Sequence, residues 1–583
     1  MSDNRNMFLA ILLSIVVLFG WAAVSERFFP TPKSNAPVSA AQKADGAAPV
    51  ADAPTMLRER AAVIAESTRV AIRTPALSGS INLEGARIDD LLLLRHDETL
   101  KKDSVNVRLF SPSGTQGAYF AEFGWTGSAG LPTAETRWTA SAPTLTPEQP
   151  VTLSWTNAAG QTFLIALSVD KDYLFTAKQS IVNKGGQALV ARPYGLVARV
   201  GTGPDKSTFN AHTGPIGVFG GKTDYDNNYE DIDEAPDRQI DFRSKGGWIG
   251  FTDKYWLSAL IPANDATFDA NFRGGGDQRY QAGVRGEPLA VGPGQTAATT
   301  TRLFAGAKEV DVLDRYQDGL GVVRLGSAID WGWFEVIAKP IFHLLDWLFE
   351  KTGNLGVAII GLTILIRFVL FPIANKQYAS MAKMRQVQPK MKALQERYKD
   401  DKLKLQQEMM ELYKTEKVNP LGGCLPILLQ IPIFYALYKT LFLVIDMRHQ
   451  PFYLWIKDLS APDPLTPVNL FGLLPFDPTV IPVFGQFLHL GIWPIFMGIT
   501  MWVQMKMNPS PPDPTQKMIF DWMPVIFTFL LASFPAGLVI YWTWNNFLSV
   551  VQQGVIMKRN GAKIELWDNL RALLPKKKAA NDN

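Results

Sequence analysis

The sequence holds few of the side chains that covalent or metal chemistry requires. Cys424 is the only cysteine among 583 residues, so an intrachain disulfide is excluded. The histidines are scattered singly, and none stands at a metal-ligand spacing from another or from Cys424. They are His96, His212, His343, His449 and His489. No G-x-S-x-G nucleophile elbow occurs, although a dispersed Ser-His-Asp arrangement stays open. We therefore expect no metal, no cofactor and no catalytic residue.

An excess of charge of one sign is also missing. The chain has 58 Lys and Arg against 54 Asp and Glu, a net charge of +4, which gives no overall reason to expect a nucleic-acid-binding protein. Residues 217–223 read GVFGGKT and imitate a phosphate-binding loop. Their first glycine, however, stands one residue too close to the Gly-Lys pair for the G-x-x-x-x-G-K-[ST] spacing. Nucleotide binding is therefore not predicted.

Long uncharged apolar runs are what the sequence has in abundance. Apolar residues make up 47% of the chain, and several runs approach the roughly 20 residues that cross a bilayer. The first run, residues 7–24, follows a short amino end, residues 1–6, and exceeds the apolar length of a secretory signal. This length favours an uncleaved first transmembrane helix over a cleaved signal. Residues 25–69 begin with a stretch rich in Ala, Pro and Ser, which is typical of a flexible linker.

Residues 70–328 change to a period of two. Val151, Leu153 and Trp155 alternate with polar residues, and turn-forming breakers separate such runs, which predicts an antiparallel all-β sandwich domain. Residues 329–350 then follow a helical period and include three tryptophans. That pattern predicts an amphipathic helix at the membrane interface, and a core helix of the β domain is the alternative.

Five further apolar runs in residues 351–557 bring the prediction to a polytopic α-helical membrane protein with six transmembrane helices. The runs are 355–373, 425–445, 488–505, 518–534 and 536–557. Residues 375–420, which read as a helical hairpin, carry 11 Lys and Arg against 6 Asp and Glu, and residues 556–583 carry 7 against 3. The positive-inside rule therefore predicts that both termini and the hairpin are cytoplasmic and that the β domain is outside. Four prolines interrupt residues 465–487, which favours an outer loop or a re-entrant segment over a further span.

Several longer motifs follow one another along the chain. They are GGWIG at 246–250, NPLGGCLP at 419–426, QIPIF at 430–434, MPVIF at 523–527 and FPAGL at 534–538. In these motifs the chain resembles the bacterial YidC insertases of the YidC/Oxa/Alb family, in the Gram-negative form with a large periplasmic domain. The resemblance implies a periplasmic β-supersandwich and a non-enzymatic membrane protein insertase and chaperone of the bacterial inner membrane. It also implies nascent membrane proteins as substrates, handled either alone or beside the Sec translocon.

Arg367 is the only basic residue within the second predicted span, where burial of an arginine costs roughly 2.5 to 3.5 kcal/mol. Lys517 stands four residues before Asp521 on the same helical face, so we expect those two to pair and to leave Arg367 without an acidic partner. The resemblance implies a hydrated groove with Arg367 at its centre, and we expect Thr363 and Gln430 to line it. The alternative is a structural arginine that is bound by backbone carbonyls or reaches the nearby interface.

The third predicted span is the candidate substrate-contacting helix. Its candidate contact residues are Pro426, Ile427, Ile431, Pro432 and Phe434. The prolines could keep this span adaptable, or they could be kinks fitted into the bundle.

Two cytoplasmic segments are candidate contact surfaces. The hairpin carries a methionine stripe that could receive apolar nascent segments, because methionine adapts to varied shapes; two helices that bury these side chains against each other are the alternative. The stripe consists of Met381, Met384, Met391 and Met409. The tail, residues 558–583, could contact ribosomal RNA of the ribosome or the phospholipid bilayer, or it could be a positive-inside anchor only. Its candidate residues are Lys558, Arg559, Lys576, Lys577 and Lys578.

Two other function classes stay open beside the leading hypothesis of an insertase. A secondary transporter would need polar groups near the midplane in both halves of an internal repeat, and the sequence shows no such repeat. A membrane-anchored carbohydrate-binding protein or enzyme would need its site in the β domain, and a sandwich fold alone does not establish such a function.

Overall fold

The structure is a computed structural model, and it describes residues 57–203, 211–332, 335–416, 425–474, 490–508 and 514–559. The predicted first transmembrane helix and most of the predicted linker lie outside the described residues, as does the tail beyond residue 559. The described chain consists of a β domain followed by a bundle of helices.

The β domain consists of two large sheets. Its strands are β1 (Arg69–Arg73), β2 (Leu77–Asn82), β3 (Arg87–Asp97), β4 (Asn106–Phe110), β5 (Tyr119–Gly127), β6 (Thr139–Ala140), β7 (Thr144–Leu145), β8 (Val151–Thr156), β9 (Gln161–Val169), β10 (Leu174–Asn183), β11 (Leu189–Val200), β12 (Gly214–Phe219), β13 (Lys222–Asp224), β14 (Gln239–Lys245), β15 (Gly247–Thr252), β16 (Trp256–Pro262), β17 (Thr267–Gly276), β18 (Arg279–Arg285), β19 (Leu289–Val291) and β20 (Thr296–Ala307). One sheet has eleven strands in the order β14-β17-β18-β11-β5-β3-β2-β1-β7, with β19 paired to β11 and β4 to β3. The other has nine in the order β13-β12-β15-β16-β20-β10-β9-β8-β6.

The alternating sequence explains how the two sheets pack. Every second residue of β9 is buried, from Gln161 to Val169, so one face of the strand points into the core. The amide of Gln179 on β10 donates to the carbonyl oxygens of Gly124 (2.7 Å) and Tyr194 (3.3 Å) on the facing sheet. The predicted antiparallel sandwich is confirmed, with the parallel pairing of β1 and β7 as a local departure.

The helices fall into two groups. The β domain includes α1 (Arg60–Ala65), α2 (Tyr229–Glu234) and α3 (Val310–Leu320). The bundle consists of α4 (Glu335–Thr352), α5 (Leu355–Val369), α6 (Phe371–Arg397), α7 (Lys402–Thr415), α8 (Leu425–Leu443), α9 (Ile492–Met507), α10 (Pro514–Leu530) and α11 (Ala536–Arg559). Helix α4 corresponds to the predicted interfacial helix, and α6 with α7 to the predicted hairpin.

The helix bounds depart most from the predicted spans at α5. Pro372 lies in the first turn of α6, where its missing N–H costs no hydrogen bond, so a new helix begins directly after Leu370. The axes of α5 and α6 differ by 68°. No single helix in the described part of the chain has the length and apolar composition to cross a membrane, whereas α5 and α6 meet that test as one bent pair. The count of six transmembrane helices stays a prediction.

Helix α11 is the central helix of the bundle and packs against α5, α8 and α9. It begins beneath a loop that covers one end of the bundle. The N–H of Ala536 donates to the carbonyl oxygen of Ala461 at 2.7 Å, and the N–H of Gly537 donates to that of Leu459 at 2.9 Å. These bonds satisfy donors that the first turn of a helix leaves unpaired, so the loop both caps α11 and closes this end of the bundle.

The buried carboxylate of Asp463 holds the same loop in place. It accepts hydrogen bonds from the indole N–H of Trp455 (2.9 Å), from the N–H of Leu465 (3.1 Å) and from the N–H of Trp493 (2.8 Å) in the first turn of α9. Gly491 leaves room for this carboxylate, because a Cβ at that position would lie only 2.6 Å from Asp463 Cβ. The loop and the start of α9 are therefore built around one side chain.

Charged groups join the β domain to the bundle. The Nζ atom of Lys439 on α8 lies 3.1 Å from Asp330 Oδ2 and 2.8 Å from the Asp330 carbonyl oxygen, in the segment that leads from the β domain to α4. The guanidinium of Arg448 donates to the carbonyl oxygens of Asp97 (2.9 Å) and Glu98 (3.0 Å) at the end of β3. Contacts to charged groups of this kind contribute more than neutral hydrogen bonds, so they fix the orientation of the sandwich on the bundle.

Asp446 is partly buried in this junction. The N–H of Val310 at the start of α3 donates to its carboxylate at 3.4 Å. Desolvation, together with the nearby charges of Glu309 and Asp346, raises the pKa of Asp446 from its usual 3.8 to about 7. The folded protein therefore keeps a proton that the unfolded chain releases, and the stability contributed by protonated Asp446 is lost as the pH rises from about 4 to about 7.

The Asp446→Asn variant should consequently be more stable than the wild-type protein at about pH 8 and nearly equal to it at about pH 4.5, because the amide needs no proton to stay neutral. Thermal unfolding of the purified protein in detergent at both pH values measures the difference. Asp318→Asn, on the exposed side of α3, is the matched control and should show no such pH dependence. A gain in stability for Asp446→Asn that is equal at the two pH values would contradict this account.

Candidate functional site

Arg367 reaches from the last turn of α5 to the middle of α11. Its Nε atom donates to Asn545 Oδ1 at 3.0 Å, and its Nη2 atom donates to Asn545 Oδ1 at 2.7 Å, to the Asn545 carbonyl oxygen at 3.1 Å and to Ser549 Oγ at 2.5 Å. Asn545 and Ser549 stand one turn apart and are both buried, whereas Arg367 is half-buried. The planar guanidinium is therefore held in one orientation by two neighbouring side chains of α11.

The partners of Arg367 are neutral. Among the described residues no carboxylate forms an ion pair with this guanidinium. The only acidic residue in the predicted spans, Asp521, pairs with Lys506 of the neighbouring helix at 2.8 Å. The expected local partner of Asp521 was Lys517, and that expectation was wrong because α9 brings Lys506 closer. The expectation that Arg367 has no acidic partner is unaffected, because Asp521 is paired in either case and the positive charge of Arg367 stays uncompensated.

Gln430 comes to the same face of α11 as Arg367. Its side-chain amide at the start of α8 donates to the hydroxyl of Tyr541, one turn before Asn545. Thr363, by contrast, is buried and donates its hydroxyl to the carbonyl oxygen of Ile359 at 2.7 Å, within its own helix. The structure thus places Arg367 and Gln430 against the same row of polar side chains on α11. Thr363 is hydrogen-bonded to the backbone of its own helix instead. We call Arg367, Gln430, Tyr541, Asn545 and Ser549 the Arg367 site.

A polar stripe along α11 was missed in the sequence. Tyr541, Asn545, Ser549 and Gln553 recur every four residues and therefore share one face of the helix. All four are buried, and the amide of Gln553 continues the stripe by donating to the carbonyl oxygen of Met507 at 3.1 Å. This spacing of four in an otherwise apolar helix is a signal that sequence reasoning could have used.

Exposed apolar residues border the Arg367 site. Phe368, the next residue of α5, is 78% exposed, and Ile431, the next residue after Gln430 on α8, is 52% exposed. Such residues face away from protein, which suits a lipid-facing surface around a polar centre.

The structure describes the side chains of only some of the remaining candidate residues of the third span. Pro432 and Phe434 are partly buried, and the Phe434 ring packs on Trp542 with ring centroids 4.5 Å apart. Pro426 and Ile427 belong to the first turn of α8, and their side chains lie outside the described part of the structure. Substrate contact by this helix stays a prediction, for which the exposed Ile431 is the most accessible residue.

The hairpin methionines pack against protein. Met391 is buried with Val387, and both Met384 and Met409 pack against that pair, so α6 and α7 cover these side chains mutually. Met381 packs in a second cluster that includes Ile556 of α11. Their role in substrate reception stays a prediction. The large apolar side chains that α7 does expose are Leu403 and Met410.

The basic tail is described only at its beginning. Lys558 and Arg559 form the last turn of α11 and are exposed, where they also suit the negative end of the helix dipole. The other three candidates, Lys576, Lys577 and Lys578, lie outside the described residues.

Comparison with known proteins covers both halves of the chain. A family model described as 60Kd inner membrane protein matches residues 347–563, and one described as YidC periplasmic domain matches residues 69–344. The chain is 48% identical over 607 residues to the membrane protein insertase YidC of Nitrobacter hamburgensis, with 99% of this chain and 98% of that protein covered. It is 48% identical over 619 residues to the YidC insertase of Bradyrhizobium diazoefficiens, with 99% and 100% covered.

Among solved structures, the chain is similar to an active YidC insertase whose first transmembrane domain is resolved. The identity is 17% and the TM-score 0.36, with 93% of this chain and 98% of that chain covered. The sequence relatives establish the family on their own, because they are nearly half identical over almost every residue of both proteins. The chain belongs to the YidC family of membrane protein insertases.

Proposed function

We propose that this protein inserts nascent membrane proteins into the bacterial inner membrane through a groove whose polar wall is the Arg367 site. The observation that carries the proposal is that the described residues bind Arg367 through neutral partners only, Asn545 and Ser549. Its charge is held in place yet remains available to an acidic segment that passes by. Insertion of this kind makes and breaks no covalent bond, so it needs no catalytic residue.

Transfer free energies explain why such a groove is useful. A helix of 20 Leu-like residues gains about 6 to 12 kcal/mol on entering the bilayer, whereas each unassisted charge at the membrane centre costs about 3 kcal/mol. A short polar tail with a few charges can therefore cancel most of the gain. A fixed positive charge and polar side chains replace hydrocarbon along the path of the tail and lower that cost.

Two structural features support a groove that is closed on the outer side. The loop bonded to Ala536 and Gly537 covers the end of the bundle where α11 begins. The Arg367 site lies further along α11, towards the end where α5 bends into the basic hairpin. A tail that enters from the hairpin end would meet Arg367 before it meets the closing loop.

The proposed arrangement in the membrane follows the charges. The hairpin and the tail carry the excess of Lys and Arg, so we infer that they face the cytoplasm together with both termini, and that the six predicted helices cross the membrane with the β domain in the periplasm. The exposed Leu403 and Met410 of the hairpin are then positioned to meet apolar nascent segments. The basic tail would contact the ribosome or anionic lipid, and the Sec translocon would be a partner for larger substrates.

The charge of Arg367 can be cancelled without a change of shape by Asn545→Asp. The new carboxylate would occupy the position of the amide and pair with the guanidinium, so the protein should accumulate normally. Insertion of substrates with Asp or Glu in the translocated tail should fall about 10- to 100-fold, because bonds to charged groups contribute about 1.5 to 3 kcal/mol. Insertion of substrates with uncharged tails should change little. Insertion assays at matched protein levels measure both classes.

Three further variants serve as controls for this experiment. Ser549→Ala removes the hydrogen bond from Arg367 and the one to the Asn545 carbonyl oxygen but no charge, so its effect should be small for either class of tail. Arg367→Lys keeps the charge and should retain much of the insertion, whereas Arg367→Ala should lose it, most severely for acidic tails. If Asn545→Asp inserts acidic tails as well as the wild-type protein does, the charge of Arg367 has no part in the mechanism.

Cysteine labelling in intact cells tests the proposed topology. With Cys424 replaced by serine, a single cysteine at Lys399 between α6 and α7 should stay unlabelled by a membrane-impermeant reagent. A cysteine at Lys102 in the β domain, which is likewise an exposed lysine, should react readily. Labelling at position 399 from outside would refute the cytoplasmic position of the hairpin.

The β domain should be largely dispensable for insertion, because nothing in the Arg367 site belongs to it. Deletion of residues 70–323 keeps Asp330, and so keeps the partner of buried Lys439. This deletion variant should accumulate and insert substrates. The same deletion combined with Asp330→Ala should accumulate poorly, since buried Lys439 would keep the carbonyl oxygen of residue 330 but lose its ion-pair partner, and removal of one partner of a buried ion pair costs about 3 to 5 kcal/mol. A stable but inactive 70–323 deletion would show that the β domain takes part in insertion.

A further inference from the structure

An apolar projection stands at the outer end of the bundle, beside the start of α9. We call residues 468–474 the apolar tip. Leu470, Phe471, Leu473 and Leu474 are all exposed in it, and Leu473 is 82% exposed. Residues 464–476 contain no charged residue. A water-exposed loop normally carries polar side chains at its surface, so this composition calls for a different surrounding.

The tip is an ordered turn and not a loose chain. The Thr466 hydroxyl accepts from the N–H of Val468 at 3.1 Å, and the Thr466 carbonyl oxygen accepts from the N–H of Phe471 at 2.9 Å. The side-chain oxygen of Asn469 accepts from the N–H of Gly472 at 2.9 Å. Both Thr466 and Asn469 are buried, so the polar side chains of the segment satisfy its own backbone.

Backbone conformation presents the apolar side chains outward. Leu470 and Phe471 have φ values of 51° and 57°, in the left-handed region that residues other than glycine rarely adopt. Such a conformation is strained, and it persists only where the surroundings determine it. Here the strain turns two large apolar side chains away from the protein.

The base of the tip is tied to the membrane region. Leu465 N–H and Trp493 N–H both donate to the carboxylate of Asp463, and the N–H of Ile492 donates to the Leu465 carbonyl oxygen at 3.1 Å. The tip therefore leaves the protein at the first turn of α9. Leu454, which is 86% exposed, projects from the same loop, next to Trp455 on the same carboxylate.

We propose that the apolar tip, with Leu454 beside it, lies in the outer leaflet of the lipid bilayer and fixes the depth of α9. Lipid is the occupant that these observations favour over a protein partner. A protein interface would use polar side chains at its rim, whereas the polar groups of this segment are turned inward. The base of the tip is hydrogen-bonded to α9, whose exposed residues Phe496 and Ile499 are apolar. Trp455 and Trp493 at that base are side chains typical of the membrane interface. The inference rests on the proposed topology, in which the start of α9 is at the outer face.

A fluorescent reporter on the tip tests the inference. In the full-length protein with Cys424 replaced by serine, Leu473→Cys is labelled with an environment-sensitive dye and reconstituted into phosphatidylcholine and phosphatidylglycerol vesicles. We expect a blue-shifted emission that is quenched by lipids with a nitroxide near the headgroup, and less by lipids with the nitroxide at the chain end. Replacing Leu470 and Phe471 together by serine should weaken this quenching several-fold.

Labels at two other positions serve as controls for the signal at position 473. Ile499→Cys on the exposed face of α9 should be quenched by lipid, and Lys102→Cys in the β domain should not. A water-like, unquenched signal at position 473 with quenching at 499 overturns the inference and leaves the proposed topology intact. A blue-shifted signal that no lipid quenches means that protein covers the tip, and it also overturns the inference. Absence of quenching at 499 would overturn the topology and the inference together.

Discussion

The contact between Arg367 on α5 and Asn545 on α11 is the interaction on which the bundle depends. An arginine in an apolar span is costly unless every donor that it buries finds an acceptor. Here the side-chain and backbone oxygens of Asn545 and the hydroxyl of Ser549 supply those acceptors without supplying a negative charge. One arrangement therefore meets a structural demand and leaves the positive charge that the proposed function requires, so the two alternative roles of Arg367 are compatible.

The junction between the sandwich and the bundle follows a different rule. Lys439 and Asp330 form a buried ion pair, in which the loss of either partner is more harmful than the pair itself is helpful. Arg448 instead binds backbone oxygens at the end of β3, and its guanidinium also lies over the rings of Tyr255 and Trp256 in the sandwich. The junction thus depends on a small set of directional contacts made by charged and aromatic side chains.

Local periodicity made much of the fold predictable. The alternation in β8 predicted a sandwich because a strand buried on one face needs that pattern, and the helical hairpin was predictable from charge and spacing. Arg367 was identifiable because a charge in an apolar run is conspicuous. Its partners were not, since Asn545 and Ser549 look ordinary until α5 is placed beside α11. Lys506 displaced Lys517 as the partner of Asp521 for the same reason: a contact between helices is invisible to spacing along one helix.

The spacing of four along α11 has a consequence for how this protein can vary. An α-helix turns by about 100° per residue. Inserting or deleting one residue between Ala536 and Asn545 would therefore rotate the part of the stripe that follows the change away from α5. Point substitutions on the face of α11 opposite the stripe do not change the alignment of Tyr541, Asn545 and Ser549. The length of this helix segment is therefore under stronger constraint than its composition, and changes in chain length should collect in the loops instead.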